Sequence, residues 1–167
     1  MAFLEATEFK WTIAATLLHG VQYYRSTIRQ SKTKYRLQRL ENKDKAPFDR
    51  YSTRHPEMLA ADRGFLNYQE QSIPFLTALW CNAIFVDPTK AGKWGLVWVV
   101  LRMMYPTLLG KELRNINPKR VLLVTGPCYL IVWYLFGGVA AAALQVESKV
   151  FPFAFALGFP VVAVAFA

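Results

Sequence analysis

The longest charge-free stretch of the chain constrains its fold more than any other feature. Residues 121–146 form a run of 26 positions without a charged side chain, whereas about 20 apolar residues suffice for a helix to cross a bilayer. Inside a bilayer the backbone must satisfy its own hydrogen bonds, so an isolated apolar run of this length crosses as a helix. This stretch alone predicts a membrane protein.

Three more stretches have the character of a membrane span, each apolar apart from a few polar side chains. The four spans are expected at 11–24, 63–86, 94–110 and 121–146. The last apolar run, 150–167, contains two prolines and is expected to be a fifth span, a re-entrant piece or a packed helix. The sequence therefore predicts an all-α fold with a single membrane domain over 1–167, an integral membrane four-helix bundle to which this run adds a candidate C-terminal hydrophobic helix.

Basic residues are distributed unevenly between the predicted loops. The chain has 20 Lys and Arg against 11 Asp and Glu, a net charge of +9. Ten of the basic residues lie in the predicted loop 25–62, whose early part is apolar enough to continue the first helix beyond the bilayer, and more lie between the third and fourth spans. Because basic loops stay on the cytoplasmic or equivalent side, both are expected to face that compartment. The placement of these loops beside the membrane accounts for the net positive charge, so there is no reason to expect a nucleic-acid partner. Membrane lipids are the expected partners.

Five polar side chains fall where the predicted spans should be apolar. A charged residue inside a span costs on the order of 3 kcal/mol on insertion scales and usually faces a bundle interior or a ligand. Arg63, Asn67 and Glu70 are spaced i, i+4 and i+7, which places them within an arc of about 60° on one helix face. Arg102 and Tyr105 share a face of the next span.

Two interpretations of these five residues remain open. In an architectural one, Arg63 reaches the headgroups, Glu70 neutralises Arg102 across the helix pair, and Asn67 supplies an interhelical hydrogen bond. In a ligand-binding one, two guanidiniums suit carboxylates, one carboxylate suits an ammonium, and an amide and a phenol complete the set. That inventory fits a small zwitterionic peptide; an anionic lipid headgroup is the alternative ligand, but it would leave Glu70 without a partner. No His or Cys pair has the spacing of a metal site, so no metal is expected.

The same residues carry a resemblance to a known family. Arg63-x3-Asn67-x2-Glu70 and Arg102-x2-Tyr105 are accompanied by the segments Pro74-Phe75-Leu76, Leu79-Trp80 and Gly95-Leu96-Val97. Together they resemble the MAPEG family, the membrane-associated proteins in eicosanoid and glutathione metabolism, over roughly residues 10 to 145. The resemblance implies a four-helix membrane bundle that assembles as a homotrimer. It also implies that Arg63, Asn67, Glu70, Arg102 and Tyr105 bind glutathione.

The chain departs from the family where catalysis is concerned. Such enzymes need a thiolate, which a nearby cation stabilises. The resemblance implies that this cation is an arginine about eleven residues after Tyr105, and that a second tyrosine lies about four residues after Tyr105. Here those positions are Ile116 and Leu109. Arg114, Arg120 and Tyr105 are the remaining candidates for a catalytic role, and Arg114 is two residues out of register.

Two functions are therefore compatible with the sequence. The first is a glutathione-dependent transferase or peroxidase that acts on a lipophilic substrate reaching the site from the bilayer. The second is a non-catalytic member that serves as a structural or accessory subunit of a larger membrane complex, as the two departures and the C-terminal run suggest.

Overall fold

The computed structural model describes residues 7–43, 48–51, 54–110 and 118–144, and these contain four helices and no strand. The helices are α1 (Lys10–Lys43), α2 (Pro56–Phe85), α3 (Pro88–Leu109) and α4 (Pro118–Ala143). The predicted all-α four-helix bundle is confirmed. The run 150–167 lies outside the described residues.

The predicted basic loop 25–62 is helical over much of its length. The helix α1 continues without a proline to Lys43, and Leu37 of this extension is buried. The helix α2 begins with Pro56, whose fixed backbone angle and missing N–H suit a first helical position. The helix α1 ends at Lys43, well beyond the predicted span 11–24, and α2 begins at Pro56, ahead of the predicted span 63–86. The interval that separates the two helices is therefore much shorter than the sequence predicts.

Aromatic stacking organises the centre of the bundle. The rings of Phe75 and Trp98 lie parallel with their centroids 3.8 Å apart, which joins α2 to α3. His19 from α1 tilts against both rings and stacks on Tyr68. It hydrogen-bonds the Ser72 hydroxyl at 3.0 Å, so it is a satisfied interior residue, as its solitary position in an apolar stretch indicates.

Helices α1 and α3 approach closely because α3 carries small residues at the crossing. A Cβ added to Gly92 would lie 2.3 Å from the backbone nitrogen of Thr12. One added to Gly95 would lie 3.0 Å from the Cβ of Ala15 on α1, and 2.8 Å from a methyl group of Leu79 on α2. The Thr12 hydroxyl donates to the carbonyl of Pro88 at 2.8 Å and ties the start of α3 to α1.

One helix of the described residues is long and apolar enough to cross a membrane by length and composition, namely α4 over Val121–Ala143 with a mean hydropathy of 1.7. Large apolar side chains are also exposed on the other helices, among them Leu17, Ile73 and Val100. Such a surface is unusual for a soluble monomer and typical of a protein surrounded by lipid or by other subunits.

A cluster of ion pairs holds the extension of α1 against the start of α2. Asp62 is buried and accepts two hydrogen bonds from the Arg50 guanidinium, at 2.6 and 2.9 Å, and one from the Gln30 amide at 2.7 Å. The Asp62 carboxylate in turn raises the pKa of Arg50 through that hydrogen bond. His55 pairs with Glu41 in the same region. These contacts make the polar segment a folded part of the bundle.

Asp87 begins α3 by capping its first turn. Its carboxylate accepts a hydrogen bond from the Lys90 backbone N–H at 2.9 Å, and this bond holds the pKa of the carboxyl below its ordinary value. A lowered pKa stabilises the fold above the unfolded-state value of about 3.9, and this contribution is lost as the pH falls through the lower folded-state value.

We therefore expect Asp87→Ala to lower the free energy of unfolding by about 1 kcal/mol at pH 7, the usual effect of losing an N-cap. The difference from wild type should shrink as the pH falls below about 3.9. Denaturant unfolding followed by circular dichroism at several pH values measures both effects. Asp87→Asn is the control, because it keeps the acceptor oxygen and should lose less; a constant difference at every pH would contradict the assignment.

Candidate functional site

A buried arginine lies at the centre of the polar residues that the sequence singled out. Arg102 is only 1% exposed, and its Nη1 donates to the side-chain oxygen of Asn67 on α2 at 2.7 Å. Its guanidinium also lies over the rings of Trp98 and Tyr105, at 5.4 and 5.6 Å from their centroids. The Nε and Nη2 atoms are buried and have no hydrogen-bond partner among the described residues.

This arrangement corrects one sequence-based interpretation. Glu70 was expected to neutralise Arg102 in the architectural reading, but no ion pair between them exists in the described structure, where Asn67 is the hydrogen-bond partner. Glu70 is exposed on α2, and so is Arg63. The interhelical hydrogen bond of Asn67 is confirmed. A buried cation without a carboxylate partner is costly, so charge balance within the bundle does not explain this set of residues.

The structure nevertheless brings all five sequence-predicted residues into one region. Asn67 hydrogen-bonds Arg102, and the Arg102 guanidinium lies over the ring of Tyr105. Arg63 and Glu70 lie close enough to act electrostatically on the Tyr105 phenol. The site thus has a buried floor, formed by Arg102 and Tyr105, and an exposed rim with one cation and one carboxylate.

Two further polar residues belong to this region and were missed by the sequence analysis. The Gln71 amide on α2 donates to the Tyr129 hydroxyl on α4 at 3.2 Å. Tyr129 is half-buried and lies near both Arg102 and Tyr105. A phenol in the interior of an uncharged span is the signal that could have identified it, because tyrosines in membrane helices concentrate at the interfaces.

The remaining catalytic candidates are placed less favourably. Arg114, together with Ile116, lies outside the described residues. Arg120 is in the first turn of α4, where only the backbone is described. Leu109 is buried beside Tyr105 and Val124 in a small apolar cluster, so the family's second tyrosine position is a packing position here.

No metal site is evident in the part of the chain that the structure describes. There, no three His, Cys, Asp or Glu side chains lie together in an arrangement that could hold an ion. The cysteines Cys81 and Cys128 are both unpaired thiols, and Cys128 is buried. The candidate site is therefore built from amide, guanidinium, carboxylate and phenol groups, which bind organic ligands through hydrogen bonds and charge.

The fold and this polar centre define a helical bundle with a membrane-type surface and a buried cation between its helices. The MAPEG family model matches residues 9–141, which is most of the chain, and the chain belongs to the MAPEG family. The family is membrane-associated. A search of the curated proteins and a search of the solved structures each found no match.

Proposed function

We propose that the protein is an integral membrane enzyme that transfers glutathione to lipophilic electrophiles or uses it to reduce lipophilic hydroperoxides. The observation that supports this most directly is the Arg102 guanidinium, which is buried with two nitrogen atoms unpartnered among the described residues. A native fold rarely leaves such groups unsatisfied without a ligand, water or ion to meet them. The proposed fold in the membrane has four spans, with the basic segments on the cytoplasmic or equivalent side.

The charges of the site complement those of glutathione. At neutral pH the tripeptide carries two carboxylates and one ammonium, whereas Arg63, Arg102 and Glu70 supply two cations and one anion. In this assignment each arginine binds a carboxylate, Glu70 binds the ammonium and Asn67 binds a peptide amide. The net charges of −1 and +1 attract one another, most strongly at the buried Arg102, where the local dielectric constant is lowest.

Tyr105 and Tyr129 are the groups proposed to act on sulfur. A free thiol has a pKa near 8.5, so most of it is protonated at neutral pH. A phenol that donates a hydrogen bond to the sulfur favours the thiolate, as does the positive charge of Arg102. In transfer, the thiol proton leaves to solvent, a carbon–sulfur bond forms and the leaving group departs with its electron pair. In peroxide reduction, two thiols become a disulfide while the hydroperoxide becomes an alcohol and water.

The proposed activity is tested with the purified protein, glutathione and several lipophilic electrophiles and hydroperoxides. Conjugate or alcohol formation above the uncatalysed rate supports the proposal. Measurable glutathione binding without turnover of any substrate would contradict it. The matched control is Lys93→Gln, an exposed change at the start of α3, far along the helix from Arg102.

We expect Tyr129→Phe to lower kcat about 100-fold with little change in glutathione affinity, the lower end of the usual effect of losing a positioned proton donor. Gln71→Leu should lower kcat less, because it removes only the partner that positions the phenol. Steady-state kinetics over pH 6 to 9 measures this, and the rate of the Phe variant should recover at high pH, where free thiolate accumulates. An unchanged kcat at neutral pH would remove Tyr129 from the mechanism.

The second candidate function is that of a non-catalytic accessory subunit of a larger membrane complex. Leu109 favours it, because an apolar packing residue occupies the position of the family's second tyrosine. Under this proposal Arg102→Met leaves assembly near normal, since apolar replacements of buried ionic groups are often neutral. Size determination in detergent would then show the same homotrimer or larger complex, and loss of assembly would count against this candidate.

A further inference from the structure

The extension of α1 carries a row of cations on one face. Arg25, Arg29, Lys32, Arg36 and Arg39, here called the basic stripe, follow one another at spacings of four, three, four and three residues. At 100° and 1.5 Å per residue these positions fall within an arc of about 80° and extend over about 21 Å. This face lies about a third of a turn from Gln30 and Leu37, which face the rest of the bundle.

The basic stripe is open to solvent and poorly neutralised. All five of its residues are exposed. Arg36 pairs with Glu57 of α2; the other four form no ion pair within the described residues. At least three like charges on neighbouring turns repel one another by a few tenths of a kcal/mol each. An anionic partner would remove that repulsion.

A groove lies along the C-terminal half of the basic stripe. Its volume is about 520 Å³, and the described residues that line it are Lys32, Tyr35, Arg36, Arg39 and Leu40. Tyr35 and Leu40 are both exposed large apolar side chains. The groove therefore offers two cations, Lys32 and Arg39, beside two apolar side chains and the Arg36–Glu57 ion pair. This suits a partner with carboxylates and apolar side chains on one face.

The length of the stripe argues against membrane headgroups as its occupant. In a four-helix bundle each helix runs within about 20° of the bundle axis, so the stripe rises about 20 Å away from the proposed membrane. The Debye length at physiological ionic strength is about 8 Å. Headgroups near Arg25 would thus leave Lys32 and Arg39, which have no ion-pair partner among the described residues, unneutralised.

We propose that the basic stripe is a docking surface for an acidic amphipathic helix of a partner protein outside the membrane. Carboxylates at the same alternating spacing of four and three residues would meet successive cations, as charged side chains do between paired helices. Apolar residues beside them would cover Tyr35 and Leu40. The proposal rests on the orientation of the bundle in a membrane and not on glutathione chemistry.

The test uses the full chain in nanodiscs of phosphatidylcholine and a fluorescent peptide as the probe. The peptide is a helix-forming sequence of about 20 residues, long enough to follow the stripe, with glutamates at the alternating spacing and leucines beside them. A scrambled peptide of the same composition is the control. We expect the ordered peptide to bind about tenfold more tightly, which corresponds to about 1.4 kcal/mol.

Variants then locate the binding surface. Lys32→Gln with Arg39→Gln should weaken binding of the ordered peptide about tenfold, the scale of several exposed ion pairs together. Lys90→Gln with Lys93→Gln, which removes the same charge from the start of α3, should change it less than about twofold. Circular dichroism of Lys32→Gln with Arg39→Gln should match that of the wild type, which shows that the variant is folded.

Three results would overturn the proposal. Equal affinity for the scrambled peptide would show attraction by charge alone, and no binding of either peptide would show that the surface does not dock a helix. Displacement of the peptide when phosphatidylserine is added to the nanodiscs would assign the stripe to headgroups. Each result leaves the glutathione site untouched, because the stripe shares no residue with it.

Discussion

Replacing Arg102 by methionine is expected to weaken glutathione binding about 100-fold or more. The guanidinium is buried and keeps two nitrogen atoms free of protein partners among the described residues. Losing one member of a buried, hydrogen-bonded charge pair costs about 2 to 5 kcal/mol, and about 2.7 kcal/mol already corresponds to 100-fold. Equilibrium dialysis with radiolabelled glutathione measures the change.

The same substitution should leave the fold intact. Removing a buried cation that has no carboxylate partner is often neutral or stabilising, so the thermal unfolding midpoint of Arg102→Met should equal or exceed that of wild type. Arg102→Lys keeps the charge but loses the planar fork of donors, and we expect it to bind with intermediate affinity. Wild-type affinity in the methionine variant would remove Arg102 from the ligand site.

Gly92→Ala is expected to lower the free energy of unfolding by about 3 kcal/mol, the upper end of the range for overpacking. The added methyl group would lie 2.3 Å from the backbone nitrogen of Thr12 and 2.4 Å from the carbonyl carbon of Trp11. Backbone atoms cannot rotate away as a side chain can, so α1 and α3 would have to separate. The hydrogen bond from Thr12 to Pro88 would be strained at the same time.

Gly20→Ala is the matched control on the facing helix. Nothing lies within 4 Å of its added methyl group, and alanine favours a helix over glycine by about 1 kcal/mol. We expect unfolding in increasing denaturant to show a less stable Gly92→Ala and an equally or more stable Gly20→Ala. Similar stabilities for the two variants would contradict the close crossing of α1 and α3.

Helix number and type followed from the sequence because they depend on local signals. Apolar runs of sufficient length set the helices. The extent of α1 was underestimated, because hydropathy measures burial in lipid and Leu37 is buried against protein. The Gln30–Asp62 hydrogen bond and the Arg36–Glu57 ion pair hold this part of α1 against α2, and hydropathy does not describe such contacts.

The sequence predicted which site residues share a face of one helix, but not which residues contact one another between helices. The spacing of Arg63, Asn67 and Glu70 gave their common face, but the partner of Arg102 depends on how α2 and α3 are aligned along their axes. The sequence pattern suggested Glu70, and the structure shows Asn67. Tyr129 was missed for the same reason, since its role depends on where α4 packs against Gln71.

The central claim, that this polar region binds glutathione, is tested most directly by isothermal titration calorimetry of the purified protein in mild detergent. Arg63→Ala and Glu70→Ala are measured beside the wild type, with circular dichroism to show that all three are helical. The account predicts saturable binding to wild type and a loss of binding in both variants. No heat of binding with a fully helical wild-type sample would contradict it and leave the bundle as a scaffold.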